Sequence, residues 1–380
     1  MWARSVDCFQ MAMGGVFAVN DPALSYNAPV PTVTLTTSGK RFDAAGDETV
    51  LEAAQRAGIA LPYSCRGGVC GSCKAVLVEG VCDYPRNPPV ALGTDARADG
   101  AILLCQAVPR GDIAIRAREI ASVEDIPHRR VDVEVVARRE LAPEVVGVWL
   151  KPVDGSRLNW LPGQYLDVVL DDGRHRPFSI ASGPVDDGSI ELHVRYVPGG
   201  GFTTWVYESL KVGDRLTIEA PLGTFVPRED SERPMLFMAG GTGFAPVKAI
   251  VEHFIELGTR RPMHVYWGAR QPEDLYLVDL ARGWERRMPG LRFTPVLSDI
   301  DAAWEAGIRA GLVHEALLED HPDLSGFDVY MSGPPPMIEL ARQHFAGSGL
   351  PDDRLYFDSF ELAPDVLAEI LRSRAGIHGL

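Results

Sequence analysis

The sequence predicts a multidomain chain: a β-grasp-like α+β unit, then an antiparallel β-barrel, then an α/β unit on a parallel sheet. Three observations predict it. Four of the six cysteines lie between Cys65 and Cys82, three of them in a glycine-bearing loop between a short helical stretch and a strand. Residues 131–226 read as six short strands separated by turn residues. From Pro234 onward, apolar strands alternate with helices, the texture of a parallel sheet. A chain of 380 residues, 46% hydrophobic and 23% charged, is long enough to bury several cores. No run approaches the ~20 uncharged apolar residues of a membrane span.

The first thirty residues carry one early arginine and a weak apolar stretch that Asp7 interrupts, and no clean small-x-small cleavage site follows a compact apolar core. A disordered extension over 1–30 and a cytoplasmic protein are expected. The first unit, 31–122, opens with "VTLTTSGKRFDA", a hairpin around Ser-Gly. "GDETVLEAAQRAGI" follows as a helix capped by Asp47 or Thr49 and stopped at Gly58. After the cysteine loop come the strand "KAVLVEG" and a returning strand in "AILLCQAVPRGDIAIRA". "SVEDIPHRR" is a linker into the barrel, 128–228, whose strands are interrupted by the helix "FTTWVYESL". The α/β unit spans 233–360, and 361–380 reads as an amphipathic helical tail suited to packing or self-association.

The net charge of −15 is unevenly spread. Residues 31–120 hold ten basic and ten acidic side chains, whereas 229–360 hold twelve against twenty-one. Nucleic-acid binding needs a basic surface, so that class is excluded.

Cys65, Cys70 and Cys73 stand at Cys-x4-Cys-x2-Cys, with Cys105 thirty-one intervening residues later. Four soft thiolates suit zinc or an iron–sulfur cluster. Zinc favours paired Cys-x2-Cys knuckles, whereas a triple plus a single is the spacing of a plant-type [2Fe–2S] centre. Gly67, Gly68 and Gly71 let backbone amides approach sulfide closely. Cys82 and Cys8 lie outside the pattern, Cys82 as a small core side chain.

In "HRPFSIAS", strand alternation puts Arg176 and Phe178 on one face and Ser179 on the other. That strand can supply a cation for a flavin's pyrophosphate, a wall for its ring and a hydrogen bond at its reactive nitrogen. Taken alone, it reads more readily as an ordinary strand. Downstream, "HVRYVPGGGFTTWV" adds Arg195 and a turn through Gly200 that opens a helix near Thr203, a phosphate-binding arrangement. "MLFMAGGTGFAPVKAI" is a strand, then Gly240, Gly241, Thr242 and Gly243, then a helix with Pro246 in its first turn. "DVYMSGPPPMIE" repeats the arrangement with Gly333, Pro334 and Met337. Two such turns at corresponding strand ends of one α/β sheet make a nucleotide crevice.

"YSCRGGVCGSCKAVLVEG…LLCQA" resembles the plant-type ferredoxin domains of bacterial electron-transfer reductases. The flavin and nicotinamide segments resemble those of the ferredoxin–NADP reductase superfamily. From about Val33 to Phe360 the chain is similar to the reductase components of multicomponent oxygenases and to the CDP-6-deoxy-glucoseen reductases. The resemblance implies a [2Fe–2S] cluster on Cys65, Cys70, Cys73 and Cys105, and FAD on Arg176, Phe178, Ser179, Arg195, Gly200 and Thr203. It implies NADH, with NADPH as the alternative donor, at the turns 240–243 and 333–337. Ser332 takes the position of a cysteine that many relatives carry beside hydride transfer, and Asp358 and Phe360 match an acid-x-aromatic ending near the flavin. The implied activity is electron transfer from NADH through FAD and the cluster to a terminal oxygenase, a hydroxylase or a sugar-modifying enzyme, by a monomer that contacts neither nucleic acid nor membrane. A diaphorase for free small acceptors, a redox sensor without turnover and a zinc-stabilised binding module are the competing readings.

Overall fold

The computed structural model describes residues 30–360, except 64, 65, 70, 94, 95, 98, 118, 120–125, 185, 186 and 301–306. The expected N-terminal extension (Val30 apart), the tail 361–380, and two of the expected cluster ligands, Cys65 and Cys70, lie outside the described residues.

The chain enters through a hairpin, β1 (Thr32–Leu35) and β2 (Arg41–Asp43), whose turn holds Gly39 at φ +75°. Helix α1 (Val50–Arg56) starts at Thr49, not Asp47. Thr49 Oγ1 accepts from the Glu52 amide at 3.2 Å, and the Glu52 carboxylate accepts from the Thr49 amide at 2.8 Å, a reciprocal cap. Strands β3 (Lys74–Glu79), β4 (Cys82–Asp83), β5 (Ala101–Leu103), β6 (Val108–Pro109) and β7 (Ile113–Arg116) follow. The main sheet runs β2-β1-β7-β3-β5, while β4 and β6 form a separate pair. The returning strand expected from Ala101 is therefore broken into three. The break has a cause: the turn after β5 gives its carbonyls to the free amides of α1. Val50 N donates to Ala107 O at 2.8 Å and Leu51 N to Leu104 O at 2.9 Å. Cys105 sits in that turn.

The second sheet is antiparallel: β8 (Arg129–Ala142), β9 (Val145–Pro152), β10 (Tyr165–Val169), β11 (His175–Ser179), β12 (Ile190–Arg195) and β13 (Arg215–Leu222), in the order β11-β10-β13-β8-β9-β12. Its two edges meet at one antiparallel bridge, Ile180 to Leu192, so the sheet curls round an apolar interior of Val133, Val135, Leu166 and Ile218. Helix α2 (Gly201–Glu208) lies between β12 and β13.

The third sheet is wholly parallel, in the order β17-β16-β15-β14-β18-β19. Its strands are β14 (Met235–Gly240), β15 (Met263–Ala269), β16 (Leu291–Leu297), β17 (Arg309–Ala310), β18 (Asp328–Gly333) and β19 (Leu355–Ser359). Helices α3 (Phe244–Glu256), α4 (Val278–Arg287), α5 (Val313–Asp320) and α6 (Pro335–Gly347) connect them. Every residue of β14 and β18 is buried, as expected of strands covered on both faces. Among the described residues no helix is long and apolar enough to cross a membrane.

Tyr63 locks the first unit to the second. Its amide donates to Thr224 Oγ1 at 2.9 Å, its carbonyl accepts from the same hydroxyl at 3.1 Å, and its phenol accepts from Gly223 N at 2.9 Å. Tyr165 and Leu222 of the second sheet join the first unit's apolar core.

Candidate functional site

The parallel sheet places its two glycine turns side by side, because β14 and β18 are adjacent and in register, Ala239 opposite Ser332. The approach is tightest at Gly243, where an added methyl group would lie 2.5 Å from the Ser332 backbone carbon, leaving no room for a side chain. A methyl group on Gly240 would lie 2.5 Å from Met337 Sδ, and one on Gly333 would lie 2.6 Å from Met337 Cε. Trp267 fixes the first turn, donating from Nε1 to Gly241 O at 2.9 Å while its ring stacks on Phe244 at 3.8 Å. Thr242 is half-buried in this turn, and Pro246 is buried in the first turn of α3. Pro334 caps α6.

Ser332 is fully buried, and its hydroxyl has no hydrogen-bond partner among the described residues. A buried hydroxyl without a partner costs about 1–3 kcal/mol, which a bound polar group relieves. One strand over, Ser332 pairs with Asp358 across β18 and β19. Asp358 Oδ2 accepts from Ser179 Oγ at 3.3 Å, and Phe360 N donates to Gly333 O at 3.0 Å. Ser179, Asp358, Ser332 and the backbone of Phe360 thus converge where the end of β11 meets the end of the parallel sheet. These residues fit a nicotinamide and a flavin ring brought together at one seam.

A cleft of about 1140 Å³ opens over the curled sheet, lined by Arg176, Gly199, Gly201, Phe202, Trp205 and Arg174 among others. Phe178 packs on Phe202 at 5.6 Å between ring centroids, and Phe202 on Trp205 at 5.8 Å. Gly200 caps α2, the Thr203 hydroxyl is held in the turn by Val197 and Gly200, and Gly201 and Phe202 of the first turn line the cleft. The lining carries five arginines against four aspartates, and the arginines, the aromatic walls and a helix N-terminus together fit FAD. Arg195 lies elsewhere. It bridges to Asp274 at 2.7 Å and to Glu144 at 3.5 Å, joining the second sheet to the third.

In the cysteine loop, Cys73 Sγ and Cys105 Sγ lie 3.3 Å apart, too far for a disulfide and close enough to share one inorganic group. Gly68 and Gly71 adopt φ +82° and +76°. A methyl group on Gly68 would sit 2.9 Å from the Gln106 side chain, and one on Gly71 would sit 3.2 Å from the Arg342 guanidinium of α6. The described part of the loop fits an iron–sulfur cluster. Cys82 stands apart in β4, half-buried against the same core, its thiol pushed up to about 11 by burial.

Three features escaped sequence reasoning: the aromatic pair Phe202 and Trp205, the Tyr63 lock, and a buried polar set of Glu191, His193, Lys248 and Glu252 between β12 and α3. The first pair lay inside the quoted helix and carried an aromatic signal. The others are long-range pairings without a sequence signature.

Three family models match the chain in succession. These are the 2Fe-2S iron-sulfur cluster binding domain over 33–110, the oxidoreductase FAD-binding domain over 133–226, and the oxidoreductase NAD-binding domain over 237–343. The CDP-6-deoxy-L-threo-D-glycero-4-hexulose-3-dehydrase reductase of Yersinia pestis is 38% identical over 328 residues, 86% of this chain and 98% of that protein. Reductase component 1 of the terephthalate 1,2-dioxygenase of Comamonas sp. is 34% identical over 323 residues, 85% of this chain and 95% of that protein. The crystal structure of the Amycolatopsis cytochrome P450 reductase GcoB superposes with a TM-score of 0.70 at 32% identity, covering 87% of this chain and 98% of that one.

Proposed function

Because the chain belongs to the ferredoxin-fused reductases of the ferredoxin–NADP reductase superfamily, we propose that it carries electrons from NADH to a separate enzyme, a terminal oxygenase or a sugar-modifying enzyme. The observation that carries this reading is the seam at Ser179, Asp358 and Ser332, which joins the flavin strand to the nucleotide turns. Bound FAD supplies a hydride acceptor that releases electrons singly, and the cluster supplies a one-electron carrier.

The chain's own residues do the positioning. Arg176 and the α2 amides hold the FAD pyrophosphate, while Phe178 and Phe202 wall the cleft. The turns at 240–243 and 333–337 hold the dinucleotide, and Ser332 offers its hydroxyl to the nicotinamide. Cys65, Cys70, Cys73 and Cys105 hold the cluster. Tyr63 keeps the cysteine unit seated on the flavin unit. The units follow the division 31–122, 128–228 and 233–360, and the protein works as a cytoplasmic monomer. NADH is favoured over NADPH because Arg270, the cation just past β15, already pairs with Asp299 at 3.1 Å.

Metal and flavin analysis with steady-state reduction of a one-electron dye tests the function. Iron, FAD and NADH-driven turnover support it. Zinc in place of iron, or cofactor binding without turnover, overturns it.

A further inference from the structure

Lys248 lies one turn into α3, the helix that the glycine turn opens, and its side chain is only 7% exposed. Its ammonium makes three contacts. It donates to Ala181 O at 3.0 Å, to Glu191 Oε2 at 3.0 Å and to Glu252 Oε2 at 2.9 Å. Glu252 belongs to the same helix, but Ala181 and Glu191 belong to the curled sheet. Ala181 is two residues beyond Ser179, and its amide donates to Glu191 O at 2.8 Å. The segment leaving the flavin strand is therefore held from both sides, by β12 through its amide and by Lys248 through its carbonyl.

Glu191 is itself fixed. Its Oε1 lies 3.0 Å from His193 Nε2, and His193 Nδ1 lies 3.1 Å from the phenol of Tyr276 in the third sheet's periphery. Burial lowers the His193 imidazole pKa against the pull of Glu191, so it bridges as a neutral ring. Burial works against the Lys248 ammonium too, but Glu252 and Glu191 outweigh it and keep it charged. A charge this deeply buried is maintained only with its partners in place. The network spans the two units that hold the two nucleotides, and it ends within a few residues of each site.

We propose that Lys248 is a positioning residue for hydride transfer, setting the separation between the flavin strand and the nucleotide turn through Ala181 and Glu191. The inference rests on the reading that NADH reduces a flavin bound to this chain. Lys248 touches neither nucleotide turn nor cleft, so its removal spares the binding of each cofactor and disturbs their mutual placement. Displacement by ~1 Å in a reacting pair lowers the rate up to about a hundredfold.

Rapid mixing of the FAD-loaded full chain with NADH, anaerobically, reads the limiting rate of flavin bleaching and the NADH dissociation constant separately. For Lys248→Met the limiting rate falls about ten- to a hundredfold, while FAD content and NADH affinity stay within about threefold. Lys248→Arg, which keeps the charge and the donors, recovers most of the rate, and Glu191→Gln lies between. A role confined to stability would lower the melting temperature and cofactor retention without a selective change in the limiting rate. Should Lys248→Met lose FAD or fold, Glu191→Gln carries the test. A wild-type limiting rate in folded Lys248→Met, or in Glu191→Gln where the Met variant does not fold, overturns the assignment of Lys248 alone, whereas an unmodified protein whose flavin NADH does not bleach removes the functional reading and the assignment with it.

Discussion

Replacing Gly243 by alanine puts a methyl group where the two nucleotide turns touch. Gly243 has ordinary helical backbone angles, φ −58° and ψ −12°, so the substitution strains no dihedral. Its effect is steric. The new carbon would lie 2.5 Å from Ser332 C and 2.9 Å from Gly333 N, and closer still to the Ser332 carbonyl oxygen. Carbon atoms at rest are about 3.5–4.0 Å apart, so the ends of β14 and β18 must separate by on the order of 1 Å. All three neighbours are backbone in a fully buried strand and cannot swing aside. Overpacking of this kind costs about 1–3 kcal/mol, and it falls on the turn that holds the dinucleotide. NADH affinity drops roughly tenfold or more, and the limiting rate of flavin bleaching drops with it. FAD affinity is unchanged, because the cleft belongs to another sheet. Gly241→Ala is the control: its φ of +54° makes it costly, yet nothing lies within 4 Å of the added carbon. That variant loses about 1–2 kcal/mol of stability while the two turns keep their separation. Titration with NADH and rapid-mixing kinetics on both variants decide the matter. Wild-type affinity and rate in Gly243→Ala would refute the packing of the two turns.

Arg176→Ala removes a charged donor from the cleft, worth roughly 1.5–3 kcal/mol. FAD affinity measured by titration should fall about tenfold or more. NADH should give the larger kcat/KM in steady state, since a 2′-phosphate must compete with Asp299 for Arg270; a larger value with NADPH reverses this. Burial, reinforced by Arg292, holds the imidazole of His264 down to about 3, so it stays neutral in the folded chain. An unfolded histidine gains its proton below about pH 6.5. The unfolded state then binds more protons, and stability falls as pH drops from there. His264→Gln should flatten part of that loss in urea unfolding compared between neutral pH and about pH 5.

The strands and turns that carry the site were legible because each is a local pattern. The β14 run "MLFMAG" is uniformly apolar, the glycines that follow mark a turn, and the hairpin at Gly39 announces itself. Spacing put Cys73 and Cys105 in one set of four cysteines, and the fold brings those two sulfurs within 3.3 Å. What stayed hidden depends on tertiary neighbours. Whether Asp47 or Thr49 caps α1 is settled by Glu52 reaching back, and the break after Leu103 by amides of α1 that lie far away in sequence. Arg195 looked like a phosphate ligand because it follows the flavin strand, yet Asp274, whose carboxylate it binds, lies in the next unit. Nothing in the local pattern around Lys248 marks it out. Its burial against Ala181 and Glu191 becomes visible only when the two sheets are set together.

Electron flow from NADH through the flavin to the cluster is tested most directly by anaerobic NADH titration of the loaded full chain, with optical and low-temperature EPR detection on the same samples. Bleaching of the flavin together with growth of the reduced cluster's paramagnetic signal is the expected result, and in Cys73→Ala the flavin should bleach with no such signal. Flavin that bleaches in the unmodified protein while its bound cluster stays oxidised would contradict it.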